Sequence, residues 1–326
     1  MNAIVRDSSL PPSPLTGTNA GVVLVQPINL VQLIEGYQRH HHLDVAALFA
    51  NVVELNLLRD TVTGLSFFDP VVSGDSAFYA QLSHRPGYYR PNKAEYSITA
   101  RYVPAGARVL EVGAGLGHFV GHLRDAEYLG TEFNPDAVAA AEELGRAVRL
   151  CDVHDLLPER QGYFDVTCAF QVLEHLPDPR RMIASLVALT RPGGRVIVST
   201  PNAGAYISRC RDLLNAPPHH ITWWEDQSWL WVARAFGLCD LELHHTPIDE
   251  MLPVWAQMIA SNGIARQLNL SLDSVVDESP LRHRIDAMAR PIAQTILAGI
   301  VNRLDIPEAG HSTVAVFTKP NSPERG

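Results

Sequence analysis

The stretch Val109–Phe119, VLEVGAGLGHF, decides how this chain is read. Val109, Leu110, Glu111 and Val112 form a short apolar run carrying one acid, the pattern of a buried strand. Gly113, Ala114, Gly115 and Gly117 then predict a tight turn, because small residues accept positive φ and let a ligand approach the backbone. The apolar spacing from Phe119 to Leu123 predicts a helix beginning directly after the turn, with its first N–H groups turned toward that ligand. A dinucleotide fingerprint reads G-x-G-x-x-G. Here the glycines are Gly113, Gly115 and Gly117, and His118 stands where the last fingerprint glycine would fall.

Outward from this turn, strand and helix patterns alternate from Pro104 to Pro247. Strands are predicted at Arg108–Val112, Glu127–Glu132, Ala147–Cys151, Phe164–Phe170, Gly194–Ser199 and Cys239–His245. Helices are predicted between them. One starts at Asn134-Pro135-Asp136 and another at Asp178-Pro179, each with an N-capping side chain followed by proline. Ile248–Ile306 is helical in pattern, and His311–Lys319 alternates as a last strand. The expected architecture is therefore α/β: a doubly wound, Rossmann-like, seven-stranded and mostly parallel sheet. It carries an N-terminal α+β extension and a helical insertion before the last strand. The expected division is a flexible tail over 1–19, an accessory or lid region over 20–103, and the core over 104–247. A helical substrate cap over 248–310 and the last strand with its tail over 311–326 complete it.

Composition narrows the function classes. A net charge of −9 disfavours nucleic acid as the main partner. No run of 18 apolar residues suggests a membrane span, and Met1–Gly21 lacks the pattern of a secretory signal. The four cysteines, Cys151, Cys168, Cys210 and Cys239, contain no C-x-x-C pair. That fits a reducing cytoplasm and predicts neither a disulfide framework nor a bound metal. The oligomeric state stays open, a homodimer being one alternative.

Further motifs fall at the ends of the predicted strands. Glu132 closes the second strand, about 20 residues past the glycine turn, where a carboxylate accepts from ribose hydroxyls. Cys151-Asp152-Val153 follows the third strand. Phe164-Asp165-Val166 opens a segment that runs through Phe170-Gln171-Val172-Leu173-Glu174-His175-Leu176, and Arg191-Pro192-Gly193-Gly194 precedes the fifth strand.

In this order and spacing the segments resemble the class I S-adenosylmethionine (SAM) methyltransferases, closely over Val109–Asn202. The resemblance implies SAM as cofactor and a role for each matching residue. Glu111 fixes the loop and approaches the SAM amino group. Gly113, Ala114, Gly115 and Gly117 form the loop beneath the methionine part. Glu132 holds the ribose, and Phe133, Asp152 and Val153 border the adenine. Phe170 and Gln171 line the methionine side. Tyr88, Tyr89 and Lys93, just before the core, are candidates to close over cofactor or substrate.

Transfer to a hydroxyl needs a proton acceptor, a task that suits histidine near neutral pH. The resemblance points to a P-x-H segment after the fifth strand. His220 is therefore the leading base candidate, His219 the second and His175 the third. Trp223 and Trp224 are either walls of an apolar pocket or aromatic core, and Arg39–His42 reads as a solvated patch. Asp60 and Thr63 stand where some relatives carry the cysteines of a zinc hairpin, so the hairpin is expected without its metal. The expected activity is O-methylation of a small molecule, a natural product or sugar-like metabolite. Carbon or nitrogen methylation, a non-catalytic SAM-binding scaffold and an NAD(P)-dependent oxidoreductase are the alternatives.

Overall fold

The computed structural model describes residues 10–85, 88–205, 212–248, 251–272, 274–300 and 310–321. Cys210, Pro86-Gly87 before Tyr88 and the end of the expected helical block at 301–306 lie outside these residues.

The chain opens with β1 (Val22–Ile28), α1 (Leu30–Gly36), β2 (Leu55–Asp60), β3 (Ser66–Asp69), α2 (Ser76–Ser83) and α3 (Ala94–Ala100). The core follows as β4 (Arg108–Val112), β5 (Glu127–Glu132), α4 (Pro135–Glu143), β6 (Val148–Leu150), α5 (Leu157–Arg160) and β7 (Phe164–Phe170). Then come α6 (Pro179–Leu189), β8 (Thr190–Pro201), β9 (Thr222–Trp223), α7 (Asp226–Ala235) and β10 (Cys239–His245). The chain ends with α8 (Leu252–Gln267), α9 (Pro280–Ile300) and β11 (Ser312–Thr318).

Seven strands form the main sheet in the order β10-β11-β8-β7-β4-β5-β6. β4 pairs in parallel with both β5 and β7, while β11 runs antiparallel to β8 and β10. From β4 the chain winds through β5 and β6 to one side, then returns beside β4 as β7. That reversal opens a crevice at the strand C-termini, where ligands of doubly wound folds sit. The expected α/β sheet is present, and the Asn134 and Asp178 side chains accept from the backbone N–H groups of Asp136 and Arg181 at the starts of α4 and α6.

The smaller sheet is ordered β1-β2-β3-β9 and is antiparallel. Its last strand comes from within the expected core. Leu213 and Ala216 also pack into the cluster formed by Leu33, Tyr37, Leu55, Phe68 and Phe78. The N-terminal region thus does not end at residue 103. Residues 213–223 complete it.

Three other expectations need correction, and the open choice for the tryptophans is decided. The turn after β4 leads into a single 3-10 turn, His118–His122, rather than an α-helix. Only His118–Ala126 separate Gly117 from β5, less than the about 11–12 residues of an average helix. The described part of the expected flexible tail is packed: Leu15 is fully buried among Leu65, Trp224 and Trp229, and Arg180 holds its carbonyl at 3.0 Å. Trp224 is core, stacked on Trp229 at 4.5 Å, and Trp223 packs edge-on to Phe68. The Arg39–His42 stretch is not simply solvated. Arg39 and His40 each meet the buried Glu278 carboxylate at 2.9 Å, and His41 faces a cavity.

The β2–β3 hairpin forms as expected. Asp60 Oδ1 accepts from the N–H groups of Val62 and Thr63, and Thr63 Oγ1 accepts from Leu65 N–H. Polar side chains therefore organise the turn in this chain.

Candidate active site

A cavity of about 1210 Å³ lies over the C-terminal edge of the main sheet. Strand ends supply its floor: Gly113–Gly115 after β4, Glu132 at the end of β5, Val153 beyond β6, and Phe170–Gln171 where β7 ends. Tyr89 and Lys93, from the segment before α3, close one side. His175, His219 and His220 line the far end. One space therefore unites most of the expected cofactor residues with all three expected histidines. Glu111, Gly117 and Asp152 are not among its lining residues.

The glycine loop needs its glycines. Gly113, Gly115 and Gly117 have φ of +69°, +54° and +64°, where an L side chain is strained. A Cβ on Gly113 would lie 2.5 Å from Val172, and one on Gly115 would lie 2.7 Å from the Tyr89 ring. Gly117 serves packing, since its Cβ would press on Val148 at 2.9 Å.

Glu132 is the organiser of this end. One carboxylate oxygen accepts from Phe133 N–H at 2.7 Å and Asn134 N–H at 3.0 Å, and the other accepts from Gly115 N–H at 2.8 Å. A carboxylate offers about four lone-pair sites. The oxygen on Gly115 keeps one for a ribose hydroxyl. Phe133 is 63% exposed at the lip, a large apolar face open to a flat ring. The residues present therefore fit SAM.

Glu111, in β4 just before the loop, is buried and accepts the Tyr128 hydroxyl, and burial pushes its carboxyl up to about 8. Asp152 Oδ1 accepts from His154 N–H and starts a 3-10 turn, placing Val153 in the wall.

Gln171 has φ of +56°, an uncommon conformation outside glycine and a frequent mark of a functional position. Its backbone N–H bonds Ser199 carbonyl at 2.9 Å, and its side-chain amide donates toward Glu95, Ser199 and Ser312. These contacts hold the β7 exit in the strained form.

The histidine end depends on both sheets. Ile221 N–H bonds Glu174 carbonyl at 2.8 Å, Phe68 N–H bonds Ile221 carbonyl at 3.0 Å, and Gly74 N–H bonds Pro218 carbonyl at 2.8 Å. The segment before β9 is pinned between the β7 exit and the small sheet. Ring centroids are 4.5 Å apart for His175 and His219, 4.8 Å for His175 and His220, and 4.5 Å for His219 and His220. Burial lowers all three pKa values, that of His175 to about 4 despite its hydrogen bond to the backbone of His219. The rings are neutral at neutral pH. His175 Nδ1 lies 2.7 Å from His219 carbonyl, His219 Nδ1 2.9 Å from Leu214 carbonyl, and His220 Nδ1 2.9 Å from Asn215 Oδ1. These oxygens only accept, so each Nδ1 carries the hydrogen and each Nε2 carries the lone pair.

Sequence reasoning missed Asn215, which orients His220, and Tyr79, whose ring meets His175 and His219 edge-on and obliquely at 6.0 and 6.2 Å. It also missed Glu174, a buried carboxyl pushed up to about 8 by desolvation. Only Glu174 lay within a motif already quoted. Nothing in the local pattern marks Tyr79 or Asn215.

A family model described as a methyltransferase domain matches residues 82–243. Over 120 residues the chain is 38% identical to a ubiquinone biosynthesis O-methyltransferase of Xanthomonas axonopodis pv. citri (strain 306), covering 34% of this chain and 50% of that protein. It is 41% identical over 101 residues to an uncharacterized methyltransferase of Mycobacterium sp. (strain JLS), covering 29% and 39%. The chain spans about half the length, or less, of these curated relatives. A solved SAM-dependent methyltransferase of Archaeoglobus fulgidus is similar with a TM-score of 0.45 at 18% identity, covering 75% of this chain and 100% of that one. The Haemonchus contortus phosphoethanolamine N-methyltransferase 2 is similar with a TM-score of 0.47 at 14% identity, covering 89% and 60%. With the matching methyltransferase domain set over the glycine loop, Glu132 and the β7 exit, the chain belongs to the class I SAM-dependent methyltransferases.

Proposed function

We propose that this chain transfers the methyl group of SAM to a hydroxyl of a small molecule. The observation that carries the reading is the single cavity running from the glycine loop to the three histidines. SAM supplies an electrophilic methyl on a sulfonium. Glu132 would hold the ribose, Phe133 and Val153 the adenine, and Gly113–Gly115 with Gln171 the methionine part. Glu111 and Gly117 would shape the loop from outside the cavity, and Asp152 would act from the adenine rim. Tyr89 and Lys93 would cover the donor and exclude water. Holding donor and acceptor in line supplies several kcal/mol of the barrier reduction, on the order of 7–11 at best.

The acceptor would lie at the histidine end. The lone pair on His220 Nε2 would take the hydroxyl proton, a role supported by Asn215 Oδ1, which holds Nδ1 at 2.9 Å. His219 and His175 wall the same spot. The ubiquinone biosynthesis O-methyltransferase relative supports oxygen as the accepting atom. A hydroxylated natural product or sugar-like metabolite suits a cavity of about 1210 Å³ that holds both partners.

The test is turnover of labelled SAM with a panel of hydroxylated metabolites, alongside calorimetric binding of S-adenosylhomocysteine. His220→Ala is expected to lower turnover by about 10²–10⁴-fold, the range of general-base loss, while leaving cofactor affinity within a few-fold. Unchanged turnover removes His220 as the base, and failure to bind S-adenosylhomocysteine overturns the function.

A further inference from the structure

We infer that His175, His219 and His220 form a binding site for one divalent transition-metal ion, open toward the cavity. The inference rests on the proposed function only for what the ion's open position receives, the acceptor hydroxyl. It runs against the metal-free site expected from the sequence.

Three observations meet here. First, a ring nitrogen of each histidine lies within 4.8 Å of the others, on the cavity wall. Second, each Nδ1 donates to a fixed oxygen: His219 carbonyl, Leu214 carbonyl and Asn215 Oδ1. Metal-bound histidines are held in this way, the second nitrogen fixing the tautomer and leaving Nε2 for the ion. Third, His219 Nε2 and both carboxyl oxygens of Glu174 are buried with no hydrogen-bond partner among the described residues. Buried polar atoms left unpaired call for a reason, and a missing ion is one.

The donor set selects the ion. Three imidazoles suit Zn²⁺, Co²⁺, Ni²⁺ or Fe²⁺, while Mg²⁺ and Ca²⁺ prefer oxygen. Glu174 Oε1 lies 3.8 Å from His175 Nε2. With Zn–N of about 2.0–2.1 Å, tetrahedral donors stand about 3.4 Å apart, so the rings close in on binding. His219 and His220, stacked at 19°, must turn toward each other's nitrogens. A hydroxyl in the open position would lose its proton more readily. On one Nε2, ligation and proton acceptance exclude each other, so in a loaded site the acidified hydroxyl would release its proton to water in the cavity and not to His220.

A second group, His40, Glu278 and His283, also brings three donor residues together. There Arg39 already meets Glu278 at 2.9 Å, and its positive charge opposes an ion.

The experiment is titration of the EDTA-treated full chain with Co²⁺, followed by visible absorption and by calorimetry. The expected result is saturation at a single equivalent with the intense bands of a low-coordinate site. His219→Ala and His175→Gln should each weaken binding at least 100-fold. The double variant H40A/H283A should leave it unchanged. S-adenosylhomocysteine binding by each variant checks that it is folded. No Co²⁺ binding by the folded parent, or binding that survives both cavity variants, overturns the inference. Turnover that persists in EDTA removes the ion's role at the acceptor hydroxyl and leaves the methyltransferase reading standing. Loss of S-adenosylhomocysteine binding by the parent overturns that reading instead.

Discussion

Replacing Glu132 by glutamine removes one acceptor and nothing else in size. In the parent, one carboxylate oxygen takes two backbone N–H groups, at 2.7 and 3.0 Å, and the other takes Gly115 N–H at 2.8 Å. A glutamine keeps its carbonyl oxygen on the pair from Phe133 and Asn134. Its NH₂ then faces the N–H of Gly115, and two donors repel. The same NH₂ occupies the lone-pair site assigned to the ribose. A hydrogen bond to a charged group contributes about 1.5–3 kcal/mol. Glu132 is partly exposed, which brings the contribution down to about 1–2 kcal/mol, between a neutral and a charge-assisted bond. That equals about 5- to 30-fold in affinity. Calorimetric titration with S-adenosylhomocysteine reads it, and a melt confirms the fold. An unchanged Kd would refute both the loop-organising and the ribose role.

Three further outcomes follow from the same geometry. Gly115→Ala forces a side chain into φ of +54° and a Cβ within 2.7 Å of the Tyr89 ring, so S-adenosylhomocysteine should bind at least about tenfold more weakly by calorimetry. Glu174 has an ordinary carboxyl value of 4.5 and a folded value of about 8, so the folded state holds the extra proton between them. Stability in EDTA should therefore fall as pH rises through that window, and Glu174→Gln should flatten the fall in a series of thermal melts. Leu15→Ala should destabilise the fold by about 2–5 kcal/mol in denaturant unfolding, whereas a loose tail would give no change.

The main sheet was legible because its strands carry their own signals. Val109–Val112 and Phe164–Phe170 are apolar runs that end at chemistry-bearing residues, and Asn134 and Asp178 announce helices through capping and proline. The convergence of most expected cofactor residues on one cavity was legible for the same reason, since they sit at or just past strand ends, whereas Tyr89 and Lys93 come from before α3. Other features depended on partners far away in sequence. β9 has only Thr222–Trp223, too short for any periodicity, and exists because β3 offers an edge. Leu15 shows no pattern of its own and is buried in the cluster that also holds Leu65, Trp224 and Trp229. The helix expected after the glycine loop failed on length, since apolar spacing does not register where the next strand must begin. The three histidines were each visible, but their convergence was not. It requires the segment before β9 to be held against the β7 exit by Ile221 and against the small sheet by Phe68.

The most direct test of the two-ended cavity is a crystal structure with S-adenosylhomocysteine bound. The adenosine should lie along Glu132, Phe133 and Val153, with the sulfur near Gln171 and facing His175, His219 and His220 across open space. S-adenosylhomocysteine bound away from Glu132, or with its sulfur turned away from the histidines, would contradict the division into donor and acceptor ends.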